Sequence, residues 1–247
     1  MIMKDKYDGV RAILSDLKIN KTEDEIENII EKLEIYKNEI LKKNEFINLT
    51  SITKENEFIK LHYEDSLSVL LTSEMKKATN FIDIGTGGGF PGIPLAITFP
   101  DKKVVLLDSL KKRLKVITDI TDEMGIKNVE TIHGRAEEIA RLSEHRDSYD
   151  LCLSRAVAPL NILLELCLPF CKVGGHFIAY KGNNYKVELD EAKKAIKELG
   201  AKLERVVVGN DIEDNELNHS LLIFKKISST KKKYPRKPGT PKKEPIK

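Results

Sequence analysis

The sequence predicts an α/β fold, a doubly wound and mostly parallel sheet preceded by a helical extension, and three observations carry that reading. The stretch between Val10 and Ile84 contains no glycine and shows helical spacing of its apolar residues. From residue 79 onward, short apolar runs alternate with amphipathic segments, the pattern of repeated strand–helix units. Between the first apolar run and its helix stand five glycines, Gly85, Gly87, Gly88, Gly89 and Gly92, in the order strand, tight turn, helix. The 247 residues divide into a helical region 1–77, an α/β domain 78–227 and a tail 228–247.

In the helical region, Thr22 and Glu25 have the spacing of a capping box. The helix behind them places Ile26, Ile29, Ile30, Leu33, Tyr36, Ile40 and Leu41 on one stripe. Residues 44–50 are turn-prone, and a second helix is predicted over 57–71. In the α/β domain the predicted strands are 81–84, 104–107, 129–133, 149–153, 176–180, 203–208 and 220–224. The predicted helices are 93–99, 111–124, 160–171 and 186–199. The short polar stretch 210–218 is too brief for a crossover, so the last two strands should close the sheet as an antiparallel pair. Seven strands with such a pair form the Rossmann-like plan of class I S-adenosylmethionine (SAM)-dependent methyltransferases.

Composition excludes several classes. Charged residues make up 33% of the chain, and no apolar run approaches the roughly 20 residues that span a bilayer. The N-terminal residues lack the apolar stretch of a secretory signal. The odd count of three cysteines, Cys152, Cys167 and Cys171, reads as core thiols in a reducing cytosol, and no metal site is expected. A cytoplasmic monomer is the expectation. The net charge of +3 conceals an asymmetry: residues 231–247 carry eight basic and one acidic residue, leaving 34 basic and 38 acidic in the remainder. This Lys- and Pro-rich tail is expected to be flexible and to hold phosphates through Lys231, Lys232, Lys233, Arg236 and Lys237.

The glycine turn suits a nucleotide-like cofactor, and the spacing Gly87-x-Gly89-x-x-Gly92 alone also fits a dinucleotide. Two residues argue against a pyrophosphate. Asp83 would set a negative charge beside it, and Pro91, expected in the first helical turn, removes an N–H that a phosphate would use. Both favour SAM, which carries a sulfonium and an ammonium, over NAD. Asp108, at the end of the second strand, is placed to hold ribose hydroxyls, or else to cap the following helix. Ala136 and Glu137 follow the third strand at the expected adenine edge. Arg155 after the fourth strand and Lys181 ending the fifth are candidates for phosphate or base contacts, with Arg135 near the ligand edge. His62 reads as structural.

Several segments, D-I-G-T-G-G-G-F-P-G-I-P-L-A-I from Asp83, L-L-D-S-L-K-K-R, H-G-R-A-E-E, S-R-A-V-A-P-L, A-Y-K-G and Y-P-R-K-P-G-T-P-K-K, resemble the bacterial RsmG (GidB) family. I-N-L-T-S-I and H-Y-E-D-S-L resemble its N-terminal part. The resemblance implies SAM-dependent methylation of guanine N7 in the decoding-region loop of 16S rRNA, on the rRNA or the small ribosomal subunit. It implies SAM contacts at Gly85, Phe90, Asp108, Ser109 and Leu110, an adenine between Ala136 and Glu137, and Arg155 in the same pocket. Guanine N7 carries its own lone pair, so no general base is expected. A small-molecule methyltransferase would not need the basic tail, and a non-catalytic RNA-binding module would never release S-adenosylhomocysteine.

Overall fold

The computed structural model describes residues 6–16, 19–208 and 219–247. The predicted 210–218 connection lies outside the described residues. The first helices are α1 (Asp8–Leu14) and α2 (Glu23–Asn44), and Thr22 and Glu25 form the reciprocal capping box that opens α2. The expected single helix over 57–71 is instead a composite: α3 (Glu55–Phe58), a π-helical turn (Ile59–Glu64), α4 (Asp65–Leu67) and a 3₁₀ turn (Ser68–Leu71). The wide π turn carries His62, and such turns are frequent at functional sites. A short α5 (Ser73–Lys77) leads into the sheet.

The strands are β1 (Asn80–Ile84), β2 (Lys103–Asp108), β3 (Val129–His133), β4 (Tyr149–Arg155), β5 (Cys171–Lys181), β6 (Ala201–Val208) and β7 (Ser220–Lys226). They form one seven-stranded sheet in the order β3-β2-β1-β4-β5-β7-β6. Pairings from β3 through β5 are parallel, while β7 runs antiparallel to both β5 and β6. The order reverses at β1 and β4, whose C-terminal ends therefore open the crevice where doubly wound sheets bind ligands.

Both faces are covered, which is why the strands read as continuous apolar runs. Phe81, Val104, Leu106, Leu153 and Ile178 pack with α1, α2, α6 (Gly92–Thr98) and α7 (Lys111–Glu123). Ile82, Val105, Leu107, Phe177 and Phe224 pack with α8 (Ala136–Ile139), α9 (Leu160–Cys167) and α11 (Lys193–Glu198). Two predicted helices are shorter than expected. The 160–171 helix gives way to a 3₁₀ turn containing Pro169, and the 186–199 helix is broken at Ala192 into α10 (Tyr185–Glu191) and α11. The three cysteines are free and buried.

The tail departs from the flexible arm that its composition suggested. It lies along the second face, with Tyr234 and Ile246 inside the apolar cluster and a short α12 (Thr240–Lys243). The reason is specific anchoring. Arg236 makes a bidentate pair with the buried Glu165, through Nε at 2.9 Å and Nη2 at 2.7 Å, and its backbone N–H donates to the same carboxylate. Arg146 donates to the carbonyls of Thr230 and Tyr234, and Arg141 to that of Pro235. Among the described residues no helix is long and apolar enough to cross a membrane.

Candidate cofactor and substrate cleft

The glycine turn leaves β1 and is tied at once to the neighbouring strand, the Gly85 and Thr86 N–H groups donating to the Leu107 carbonyl at 2.8 and 3.1 Å. Two glycines are demanded by their surroundings. Gly89 has φ +89°, and a Cβ there would stand 2.3 Å from the Tyr36 hydroxyl. Gly92 has no room because a Cβ would meet Leu106 at 2.1 Å. Tyr36, from α2, donates to the Gly88 carbonyl at 2.9 Å. The helical region thus builds the back wall of the turn.

Asp83 has a different job from the one its sequence position suggested. It is fully buried and lines neither cavity at the turn. Its Oδ2 accepts from the Thr86 hydroxyl at 2.7 Å and the Gly92 N–H at 3.0 Å. The carboxylate therefore occupies the N-terminus of α6 itself, where an external anion would otherwise sit. Burial pushes its pKa up to about 6, against the pull of those two hydrogen bonds. Pro91 stands just before the helix, at its N-cap, rather than in the first turn.

Two cavities flank the turn. One, of about 470 Å³, is lined by Asp108, Ser109, Leu110, Arg135, Ala136 and Glu137, with Lys242 from the tail. The other, of about 500 Å³, is lined by residues 48–52, His62, Asp65, Gly87, Phe90 and Arg155. Gly85, Arg113 and Ala156 line both, so the two meet at a neck. Ala156 has φ +55°, a strained backbone of the kind that clusters at binding sites. A third groove, about 560 Å³ between α11 and β6, lies away from the turn and contains none of the sequence-derived candidates.

In the first cavity Asp108 accepts from the Gly87 N–H at 2.9 Å through Oδ2 and from the Leu110 N–H at 2.8 Å through Oδ1. It braces the turn rather than capping α7, whose N-cap is Leu110. Each oxygen keeps a lone pair for a hydroxyl. Glu137 accepts from the Gly239 N–H at 3.0 Å through Oε1. In the second cavity Arg155 is held by protein groups. Its Nη1 donates to the Leu61 carbonyl and to Asp65 Oδ2, both at 2.7 Å, and Nη2 donates to His62 Nδ1 at 2.9 Å.

Because Arg155 has only protons to offer, His62 Nδ1 must accept, and Nε2–H then donates to Thr50 Oγ1 at 2.7 Å. Burial, reinforced by the Arg155 charge, pushes the His62 pKa down to about 3. The neutral ring stacks on Phe90 with centroids 4.2 Å apart. Burial pushes the Asp65 carboxyl up, but His219 and Arg155 outweigh it and leave the group below its ordinary range. His219 Nδ1 lies 3.0 Å from Asp65 Oδ1.

Gly85, Gly87, Phe90, Asp108, Ser109, Leu110, Ala136, Glu137 and Arg155 thus come together around one neck, and Asp83 stands behind them. Lys181 and Arg236 are not the free cations expected. Lys181 pairs with Glu188 at 2.6 Å and donates to the Ala158 carbonyl, while Arg236 is the tail's anchor. Arg135, Lys231, Lys232, Lys233 and Lys237 are exposed. Glu74, His176 and Glu204 have metal-like spacing, but Glu74 is occupied by the Arg205 guanidinium. Nothing local in the sequence singles out Asp65, Arg113 or His219, because long-range pairing, as for Asp65 with Arg155 across 90 residues, leaves no such signal. Lys242 reads from the sequence only as one more cation of the basic tail.

A seven-stranded Rossmann-like sheet with a braced glycine turn and an acidic β2 end is the fold of class I SAM-dependent methyltransferases. A putative O-methyltransferase from Klebsiella pneumoniae shares this fold, with a TM-score of 0.52 at 17% identity over 78% of this chain and 90% of that one. Residues 29–217 match the GidB model, described as rRNA small subunit methyltransferase G. The Clostridium novyi (strain NT) ribosomal RNA small subunit methyltransferase G is 52% identical over 211 residues, 85% of this chain and 86% of that one. Its namesake from Clostridium tetani (strain Massachusetts / E88) is 42% identical over 98% of this chain and 99% of that one. The chain belongs to the rRNA small subunit methyltransferase G family.

The residues present fit SAM. Carboxylates of Asp108 and Glu137 line one cavity, and each has an oxygen with the capacity to accept from a hydroxyl or an amine. The turn's Gly85 and Gly87 lead from there through the neck toward the second cavity.

Proposed function

We propose that this chain methylates N7 of a guanine in the decoding-region loop of 16S rRNA, acting in the cytoplasm on the rRNA or the small ribosomal subunit. SAM supplies the sulfonium-activated methyl group and leaves as S-adenosylhomocysteine. Its adenosine end would lie in the Asp108–Glu137 cavity, and the guanine would enter the cavity of Asn48, His62 and Arg155.

One observation carries the choice of nucleophile. Of the side chains lining the second cavity that could serve as a base, His62 and Asp65 are engaged by Arg155, and His219 lies against Asp65, which raises its pKa. Both nitrogens of His62 are engaged and its ring is neutral, and Asp65 is paired with Arg155 and His219. Such a cleft suits a nitrogen that already has its lone pair. Acceleration then comes from in-line positioning with water excluded, for which the stacked His62–Phe90 wall and the fixed guanidinium of Arg155 are well suited. Guanine N7 lies in the deep, narrow major groove of A-form RNA, so the target must be unpaired or splayed out. The exposed Arg135, Lys231, Lys232, Lys233 and Lys237 would contact phosphates.

The test is incubation of small ribosomal subunits and of free rRNA with labelled SAM, followed by mapping of the label. A single labelled guanine, cleaved by chemistry specific for N7-methylated guanine, is the expected result. Label on a ribose, an exocyclic amine or another base would overturn the N7 assignment.

A further inference from the structure

We propose that residues 239–242 of the C-terminal segment belong to the cofactor site, with Lys242 a direct contact and Gly239 a positioning residue acting through Glu137. The inference rests on the placement of SAM given above.

The geometry has three parts. Lys242 lines the cavity that contains Asp108 and Glu137. The Gly239 N–H fixes Glu137 Oε1 at 3.0 Å, leaving Oε2 as the acceptor toward the cavity. The chain is anchored before the segment by Arg236 on the buried Glu165 and by Arg141 and Arg146 on the carbonyls of Pro235 and Tyr234, and after it by the buried Ile246. Gly239 turns the chain into the cavity with φ +83°, and a Cβ there would meet nothing within 4 Å. The turn thus asks for glycine through its backbone alone.

Adenine presents an amine that donates and ring nitrogens that accept. A carboxylate held on one oxygen supplies the first partner, and an ammonium at the cavity wall supplies the second. Glu137 and Lys242 make such a pair, and they come from segments more than 100 residues apart. A tail read from composition as an RNA arm is, at this point, a wall of the cofactor site. The basic residues before it, Lys231 to Lys233, are exposed, with Lys231 and Lys233 beside Glu198 at 3.4 and 3.9 Å.

The experiment uses the full chain and measures S-adenosylhomocysteine affinity by calorimetry without RNA, KM for SAM and for rRNA, kcat and Tm. Lys242→Ala is expected to weaken S-adenosylhomocysteine binding and raise KM for SAM by about 5–10-fold, with kcat, KM for rRNA and Tm unchanged. Lys242→Arg should recover most of the loss, and Glu137→Ala should match Lys242→Ala. Lys193→Ala, on an exposed helix face, is the control and should bind as the unaltered chain does. Wild-type affinity in Lys242→Ala, or a rise in KM for rRNA alone, would overturn the assignment. Failure of the unaltered chain to bind S-adenosylhomocysteine would overturn the cofactor reading beneath it, and this assignment with it.

Discussion

Substituting Asp83 by Asn separates the two jobs that a carboxylate at this position could have. Burial raises the Asp83 pKa from 3.8 to about 6, a shift of about two units, or roughly 3 kcal/mol. The folded state therefore prefers the protonated carboxyl. Its contribution to stability is whole below about pH 4, the ordinary carboxylate value, and is lost as pH rises through about 6. Asn keeps an oxygen for the Gly92 N–H and Thr86 hydroxyl without titrating. Asp83→Asn should consequently gain on the unaltered chain by roughly 3 kcal/mol between about pH 4 and pH 7, on top of any constant offset. Urea unfolding of both proteins at several pH values, followed by circular dichroism, reads that difference directly. Parallel stability curves would refute the reasoning. S-adenosylhomocysteine affinity should change little, and its loss in a folded variant would return Asp83 to the ligand.

Tyr36→Phe removes the donor to the buried Gly88 carbonyl and should cost about 1–2 kcal/mol, with KM for SAM rising more than kcat falls in steady-state assays. Arg155→Lys cannot hold Asp65, Leu61 and His62 at once. It should leave S-adenosylhomocysteine binding within a few-fold while lowering kcat, as single-turnover kinetics would report. Glu165→Ala leaves the Arg236 guanidinium without its carboxylate, a loss of about 3 kcal/mol, seen as a Tm lowered by roughly 6–12 °C in calorimetry. Replacing Lys231, Lys232 and Lys233 together by Ala should flatten the salt dependence of RNA binding by up to about 2 in log–log slope, measured by filter binding, with SAM affinity unchanged.

Where the sequence was legible, the reason was local. The capping box at Thr22 and Glu25, the alternation of apolar runs and the short link before the last strand each have a nearest-neighbour cause. The strands from β1 to β7 accordingly fall where their patterns placed them. What stayed hidden was set by distant partners. Asp83 reads as a ligand group because its sequence context is a cofactor turn, yet its oxygen is taken by Gly92 nine residues on. Composition made residues 228–247 a loose arm, because no local pattern reveals that Glu165 waits in the core for Arg236. The π turn at His62 was equally invisible, since helical spacing of apolar residues does not distinguish one turn geometry from another.

The hydroxyl that α2 lends to the glycine turn has a further consequence for how the chain can be cut. Tyr36, Phe58 and Tyr63 share one apolar layer with Phe90 of the turn and Phe81 and Leu106 of the sheet. A fragment starting at residue 78 would keep every strand and every cofactor-facing side chain named from the sequence. It would nonetheless expose that layer to water and leave the Gly88 carbonyl without its donor, so the glycine turn depends on the helices before it for its shape.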